Sequence, residues 1–184
     1  MPIQTPICDF GKKALSFELK STENKIITLD NIKGENGTLI MFICNHCPYV
    51  KAVTKEIVED CNELKKIGIN SVAICANDAE NYPEDSFDNM VEFAKKNQFN
   101  FPYLNDETQE IARTYDAVCT PDFFGYNKNL ELQYRGRLRE LKNFIPMKDG
   151  ESYLLKAMRQ VAQTCNGPQD QTPSAGCGIK WKYD

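Results

Sequence analysis

A continuous apolar segment that runs directly into a pair of cysteines is the feature that most constrains this chain. Residues 38–43 read Thr-Leu-Ile-Met-Phe-Ile, which is typical of a strand buried on both faces. The next five residues, 44–48, are Cys-Asn-His-Cys-Pro. From Pro48 to about residue 66, apolar side chains recur every three or four residues, as on one face of a helix. The sequence therefore predicts two cysteines at the point where a buried strand ends and a helix begins.

The remainder of the chain continues to alternate strands and helices. Patterning predicts a strand at 71–76, helices at 86–96 and 107–115, a hairpin of strands 122–126 and 130–135, and a closing helix at 151–161. This order, with parallel and antiparallel strands in one sheet, predicts an α/β thioredoxin-like fold with a central mixed sheet flanked by helices. We expect residues 1–164 to form the domain. Residues 165–184, rich in Gly and Pro, are expected to form a C-terminal tail packed on it, with Trp181 as an anchor.

Composition limits the class of protein, its partners and its cellular compartment. Hydrophobic residues make up 41% of the 184 residues and charged residues 26%, a balance that excludes a disordered chain and a membrane span. The net charge of −4 is spread along the chain, which argues against a nucleic-acid partner. The N-terminus lacks a basic start followed by an apolar run, so we expect a cytoplasmic protein. Eight cysteines in that compartment indicate catalysis or metal binding more than structural disulfides.

The position of Cys44 and Cys47 suits thiol–disulfide chemistry. A thiol reacts as its thiolate, and the free amides and positive dipole end of a helix N-terminus stabilise a negative sulfur. Two cysteines three positions apart can also close a reversible disulfide. His46, the single histidine of the chain, lies between them. A protonated imidazole there would favour the thiolate and make the couple more oxidising, whereas a ring turned into solvent would have no such effect.

Two other interpretations of the cysteine pair remain open. One half of a zinc ribbon has the same Cys-x-x-Cys spacing, and thiolate and imidazole groups suit zinc or copper(I). The candidate ligands would be Cys44, His46, Cys47, Cys119 and Cys177. The sequence contains no second Cys-x-x-Cys and no second histidine, so we expect neither a bound metal nor a cofactor. The fold could also serve as an interaction module with an idle disulfide.

Thr120 and Pro121 precede a predicted strand, where thioredoxin folds place a cis-proline loop against the active site. By this analogy we expect Pro121 to be cis and to belong to the catalytic site. Cys119 would then lie near the pair, either as a third redox thiol or as a small buried hydrophobic residue.

Three further residues are candidates for auxiliary roles. Cys177 lies in a glycine-rich part of the tail, where it is either a resolving thiol or a bystander. Arg135 and Arg137 flank Gly136 near the end of a predicted strand. Their guanidinium groups would stabilise a thiolate or hold an anionic substrate, or else form edge-strand salt bridges. The remaining cysteines are expected to be packed in the core or at the surface: Cys8, Cys61, Cys75 and Cys165.

Several segments together resemble the peroxiredoxin-like, thioredoxin-fold proteins of the redoxin superfamily, the alkyl hydroperoxide reductase/thiol-specific antioxidant type. The resemblance runs from about residue 39 to residue 181, and its segments are 42–51, 82–85, 101–104, 106–109, 119–121, 134–137, 176–177 and 179–181. It implies that Cys47, followed by Pro48, matches the peroxide-attacking cysteine, with Cys44 as a thioredoxin-like partner. True peroxiredoxins carry a proline seven residues before that cysteine and a threonine or serine three before it. Here Ile40 and Cys44 occupy these positions.

The expected function is that of a thiol–disulfide oxidoreductase that cycles between dithiol and disulfide at Cys44 and Cys47, with peroxide reduction as a further activity. Its substrate would be a protein or small-molecule disulfide, or a peroxide, and a reducing thiol system would restore the dithiol. In thioredoxins the first cysteine attacks, whereas the peroxiredoxin match indicates the second. The sequence leaves the identity of the nucleophile open.

Overall fold

The structure is a computed structural model that describes residues 1–183. Its strands, in chain order, are β1 (Ile3–Gln4), β2 (Glu18–Ser21), β3 (Ile26–Thr28), β4 (Gly37–Phe42), β5 (Ile69–Cys75), β6 (Tyr103–Asn105), β7 (Cys119–Thr120), β8 (Asp122–Asn127), β9 (Leu132–Tyr134), β10 (Leu141–Lys142), β11 (Ile145–Pro146) and β12 (Ala175–Gly178). Its helices are α1 (Leu29–Ile32), α2 (Pro48–Lys66), α3 (Phe87–Lys96), α4 (Glu110–Thr114) and α5 (Tyr153–Thr164), with a short 3₁₀ turn at Pro83–Asp85.

Strand β4 lies inside a seven-stranded mixed sheet of order β3-β2-β6-β5-β4-β8-β9. It pairs in parallel with β5 and antiparallel with β8. All six of its residues are buried, because both of its edges are paired and both of its faces are covered. The predicted α/β thioredoxin-like fold with a central mixed sheet is confirmed.

Successive residues of β4 pack alternately in two separate apolar clusters. Leu39 and Met41 pack in the cluster that contains the buried faces of α2 and α5. Ile40 and Phe42 pack in the cluster on the opposite face, with residues from α1 and α4. The two-residue period of a strand explains this division.

The elements around the cysteine pair follow the predicted pattern. Helix α2 begins at Pro48, has Cys47 as its N-cap residue and ends at Lys66, as its apolar spacing predicted. Helix α3 begins after Ser86, whose hydroxyl oxygen accepts a hydrogen bond from the Asn89 amide. Strands β8 and β9 form the predicted hairpin.

Other elements differ from the prediction. The short strands β2, β3 and β6 were not predicted, since three or four residues give little periodicity. The tail contains a strand, β12, which pairs with β1 on one side and with β7 on the other. A glycine-rich segment gives no strand signal of its own, so this pairing depends on the neighbouring strands. Trp181 is half-buried, and the Arg113 guanidinium lies 4.2 Å from the centre of its ring. No helix within residues 1–183 combines the length and the apolar character that a membrane crossing requires.

A buried hydrogen bond joins α2 to the start of α5. The Ser152 hydroxyl donates to Asp60 Oδ2 over 2.5 Å, and its oxygen accepts from the Leu155 amide as the N-cap of α5. Burial raises the pKa of Asp60 to about 6, although the Ser152 hydroxyl lowers it in part. The folded protein therefore binds a proton at Asp60 at a pH where the unfolded chain does not.

We predict that Asp60 makes the protein more stable as the pH falls from 7 to 4. A carboxyl group with a raised pKa in the folded state takes up its proton earlier than in the unfolded chain, so the free energy of unfolding rises over this window. In Asp60→Asn this rise should be smaller by about 2 kcal/mol, measured by urea denaturation at each pH. The control is Asp170→Asn at an exposed carboxylate, which should behave as the wild type does. An equal pH dependence in Asp60→Asn would contradict the assignment.

Candidate redox site

Cys44 and Cys47 both contact the same residue of a neighbouring loop. Cys44 follows β4, and its sulfur lies 3.4 Å from the hydroxyl oxygen of Thr120. The Cys47 thiol donates to the carbonyl oxygen of Thr120 over 3.2 Å. Both cysteines are almost completely buried, with exposed fractions of 1% and 0%, and both are free thiols. The structure therefore shows the reduced form of a closely placed pair.

The Thr120–Pro121 peptide bond is cis, as predicted by analogy with the fold. It joins β7 to β8 and brings Thr120 against both sulfurs. The Ser174 hydroxyl donates to the carbonyl oxygen of Pro121 over 2.8 Å, so the C-terminal segment also contacts this loop.

His46 is held by a buried carboxylate. Its Nδ1 lies 2.5 Å from Asp85 Oδ2, and its side chain is only 27% exposed. Asp85 Oδ1 also accepts from the backbone amide of Asn45 over 2.7 Å, which fixes the loop between the two cysteines. The ring is parallel to that of Tyr82, with centroids 6.0 Å apart. Of the two placements considered from the sequence, a ring turned freely into solvent is wrong.

Sequence reasoning missed Asp85 as a site residue. The segment 82–85 contributed to the family resemblance, but nothing in its composition indicated a contact with residues some 40 positions earlier. The 3₁₀ turn at Pro83–Asp85 brings this carboxylate under the cysteine loop. Such a long-range contact depends on the packing of β4 beside β5.

The surroundings of the two sulfurs differ in their effect on ionisation. A hydrogen bond from Cys44 lowers the pKa of Cys47 to about 4 against the opposing effect of burial, with smaller contributions from Thr120, the Val50 amide and Cys177. The pKa of Cys44 is raised by its hydrogen bond to Cys47, by burial and by the nearby Asp85 carboxylate. Cys47 is therefore the thiol of the pair that loses its proton more readily, and on ionisation it gives up its hydrogen bond to the Thr120 carbonyl oxygen.

Two more cysteines lie close to the pair. Cys177 in β12 is paired with Thr120 in β7, and its side chain packs against the apolar cluster that contains Cys47. Burial, and then Cys47, raises the pKa of Cys177 to about 11. Cys119 is completely buried, with its sulfur 3.7 Å from the carbonyl oxygen of Pro121, and burial raises its pKa.

The two arginines have different surroundings. Arg135 is buried, and its Nη2 and Nε donate to the two carboxylate oxygens of Asp122 over 2.9 and 3.3 Å. This is an ion pair within the fold, so its charge is already compensated. Arg137 is half-buried and lines a cavity of about 330 Å³ beside Pro121, together with Tyr49. Its guanidinium lies 5.1 Å from the centre of the Tyr153 ring and 4.0 Å from Glu140 Oε2.

The four remaining cysteines lie where the sequence predicted. Cys61 and Cys75 are buried in the apolar core, and burial raises the pKa of each to about 12. Cys8 and Cys165 are half-buried.

Three side chains offer a possible arrangement for a metal ion. One ligand atom each from Cys44, His46 and Asp85 lies within 4.8 Å of the others. The His46–Asp85 separation of 2.5 Å is that of a hydrogen bond. Ligand atoms that share a tetrahedral zinc ion at 2.0–2.3 Å from it stand roughly 3 Å or more apart, so these two groups would have to separate first.

A cysteine pair at the start of a helix, opposite a cis-proline loop on a mixed sheet, defines a thioredoxin-fold redox protein. The chain belongs to the AhpC/TSA family, whose model matches residues 10–141. No curated protein sequence is significantly similar to it.

Solved structures resemble the whole chain. An uncharacterised conserved protein from Geobacillus kaustophilus is 39% identical, with a TM-score of 0.94 over 100% of this chain and 98% of that one. A hypothetical protein from Sinorhizobium meliloti 1021 is 30% identical, with a TM-score of 0.90 over 100% of both chains. A secreted Mycobacterium tuberculosis disulfide oxidoreductase is 16% identical, with a TM-score of 0.56 over 68% of this chain and 87% of that one, and shares the fold.

We predict that the reduced protein keeps one thiolate well below neutral pH. Because the pKa of Cys47 is lowered to about 4, its thiolate should persist as the pH falls and disappear only near that value. Ultraviolet thiolate absorbance during an acid titration measures this. Cys44→Ala, which removes the donor, should move the midpoint upward by about one pH unit or more.

The matched control is Cys61→Ser, on the same helix but in the core. It should leave the acidic titration step unchanged, whereas Cys47→Ser should remove it. An acidic step that survives in Cys47→Ser would assign the thiolate to another cysteine.

Proposed function

We propose that this protein is a thiol–disulfide oxidoreductase whose redox couple is the Cys44–Cys47 dithiol and its disulfide. The observation that carries the proposal is the placement of both thiols against the same residue, Thr120 of the cis-proline loop, at the N-terminus of α2. This arrangement provides a stabilised thiolate and a neighbouring thiol able to form a disulfide with it.

In the proposed cycle, Cys47 is the nucleophile. Its thiolate attacks one sulfur of a substrate disulfide and releases the other substrate sulfur as a thiolate. Cys44 then loses its proton, attacks the Cys47 sulfur and releases the second substrate thiol, which leaves a Cys44–Cys47 disulfide. The substrate gains two electrons and the protein loses two. A reducing thiol system returns the protein to the dithiol.

A peroxide could serve as the oxidant at the same sulfur. The Cys47 thiolate would attack one peroxide oxygen, the alcohol or water would leave, and the Cys47 sulfenic acid would condense with Cys44 and release water. Ile40 and Cys44 stand where peroxiredoxins carry proline and a hydroxyl residue, and Arg135 is paired with Asp122. We therefore propose slow peroxide reduction beside faster disulfide exchange, as part of redox homeostasis in the cytoplasm.

We predict that the pair titrates as one reversible two-electron couple. In dithiothreitol or glutathione redox buffers, alkylation and mass spectrometry should locate the disulfide within tryptic peptide 34–51, which contains both cysteines. Stabilisation of the Cys47 thiolate favours the reduced form, so the potential should lie above about −270 mV, the thioredoxin value. Absence of any disulfide within this peptide would refute the proposed function.

Substituted proteins then identify the nucleophile. With glutathione disulfide as the probe, Cys47 should become modified in Cys44→Ser, whereas Cys44 should stay unmodified in Cys47→Ser. Cys61→Ser, the core control, should titrate as the wild type does. Modification of Cys44 in Cys47→Ser would reverse the assignment of the two sulfurs.

Metal binding is the second candidate function, favoured by the proximity of Cys44, His46 and Asp85. The hydrogen bond between His46 and Asp85 competes with it. We predict sub-stoichiometric zinc and copper in protein purified without chelators and analysed by mass spectrometry. One equivalent of metal in the wild type that is absent from His46→Ala would instead support a metal site.

A further inference from the structure

The burial of the cysteine pair raises the question of how electrons return to it once its disulfide has formed. Thiol–disulfide exchange requires a thiolate to approach one of the two bonded sulfurs. Cys44 and Cys47 are exposed by only 1% and 0%, so an external thiol has less access to either sulfur than to a half-buried one. A route from the buried pair to a more accessible sulfur would therefore ease reduction of the disulfide.

Cys177 lies on such a route. Strand β12 runs antiparallel to β7, and Cys177 is directly opposite Thr120. Facing residues of antiparallel strands project to the same side, and the Thr120 hydroxyl projects towards Cys44. The Cys177 side chain therefore projects towards the pair, where it packs against the cluster that contains Cys47.

The backbone holds this placement closely. A Cβ at Gly176 would overlap the carbonyl oxygen of Thr120, so the glycine allows β12 to approach the cis-proline loop. Ser174 adds its hydrogen bond to the carbonyl oxygen of Pro121. Cys177 thus belongs to an ordered strand beside the pair, and it is half-buried where Cys44 and Cys47 are fully buried.

Cys119, the other neighbouring cysteine, does not provide this route. It precedes Thr120 in β7, so its side chain projects to the opposite side of the strand. It is completely buried, and its sulfur faces the carbonyl oxygen of Pro121.

We propose that Cys177 is a third redox thiol, which takes over the disulfide from the buried pair and presents it at the surface. The inference rests on the proposed function of Cys44 and Cys47. The Cys177 thiolate attacks the Cys47 sulfur of the Cys44–Cys47 disulfide, a Cys47–Cys177 bond forms, and Cys44 leaves as a thiolate that takes up a proton. The exchange consumes no oxidant.

Reduction then begins at the more accessible sulfur. An external thiolate attacks Cys177 and releases the Cys47 thiolate, and a second external thiol resolves the mixed disulfide. The two external thiols end as one disulfide, and Cys44 and Cys47 return to the dithiol. In the reduced protein the Cys47 charge contributes to the raised pKa of Cys177, and this contribution is absent once Cys47 is in a disulfide. Formation of the first disulfide therefore favours ionisation of Cys177.

The test is to locate disulfides in the full chain after oxidation by one equivalent of diamide. Cys177 and Cys165 share tryptic peptide 160–180, so a Cys165→Ser background makes the assignment unique. We expect a disulfide that joins peptides 34–51 and 160–180 in this background. When Cys44→Ser is added, this cross-link should be the only disulfide formed by Cys47. Reduction of the oxidised protein by glutathione should be about tenfold slower in Cys177→Ser, because the accessible sulfur is lost.

The matched control is Cys165→Ser alone, another half-buried cysteine of the C-terminal segment, which should be reduced as fast as the wild type. If a disulfide forms within peptide 34–51 but no cross-link to 160–180 appears in either background, the Cys177 inference fails and the proposed function stands. If neither disulfide forms, the proposed function itself fails. Faster reduction in Cys177→Ser would show that β12 shields the pair, and would overturn the inference.

Discussion

The complete burial of β4 is the constraint on which the site depends. Because β5 and β8 hydrogen-bond to its two edges and helices cover both faces, β4 has one register and one direction. The residues after it must leave the sheet at a defined point, where α2 begins at Pro48. The same pairing with β8 places the Thr120–Pro121 loop at the end of β4, opposite the two cysteines.

Charge at the site is distributed by contacts with different parts of the fold. Cys47 is the N-cap residue of α2, and the neighbouring Cys44 thiol lowers its pKa despite its burial. Asp85 lies on the other side, near Cys44, where it fixes the cysteine loop and binds His46. A negative carboxylate beside Cys44 and a helix N-terminus beside Cys47 together make the two thiols unequal. Unequal thiols suit a pair in which one attacks and the other resolves.

The family relationship and the site agree in part. Membership of the AhpC/TSA family and the thioredoxin fold both indicate redox chemistry at a cysteine. The Cys-x-x-Cys spacing, with Cys44 where peroxiredoxins carry a hydroxyl residue, is the departure from the peroxiredoxin pattern on which the proposal of disulfide exchange rests. The buried position of the pair, with β12 against the cis-proline loop, adds a feature that the pair alone does not explain.

The sequence by itself determined the elements with strong periodicity: the buried strand, the amphipathic helix α2 and the cysteines between them. Local chemistry is enough for these, because a continuous apolar run and a regular apolar face allow few alternatives. The tertiary structure decided which distant residues reach the pair. Asp85, the ion pair of Arg135 with Asp122 and the pairing of Cys177 with Thr120 all join segments far apart in the chain. Such contacts are set by the order and register of strands, and a short or glycine-rich segment carries no local signal of its partner.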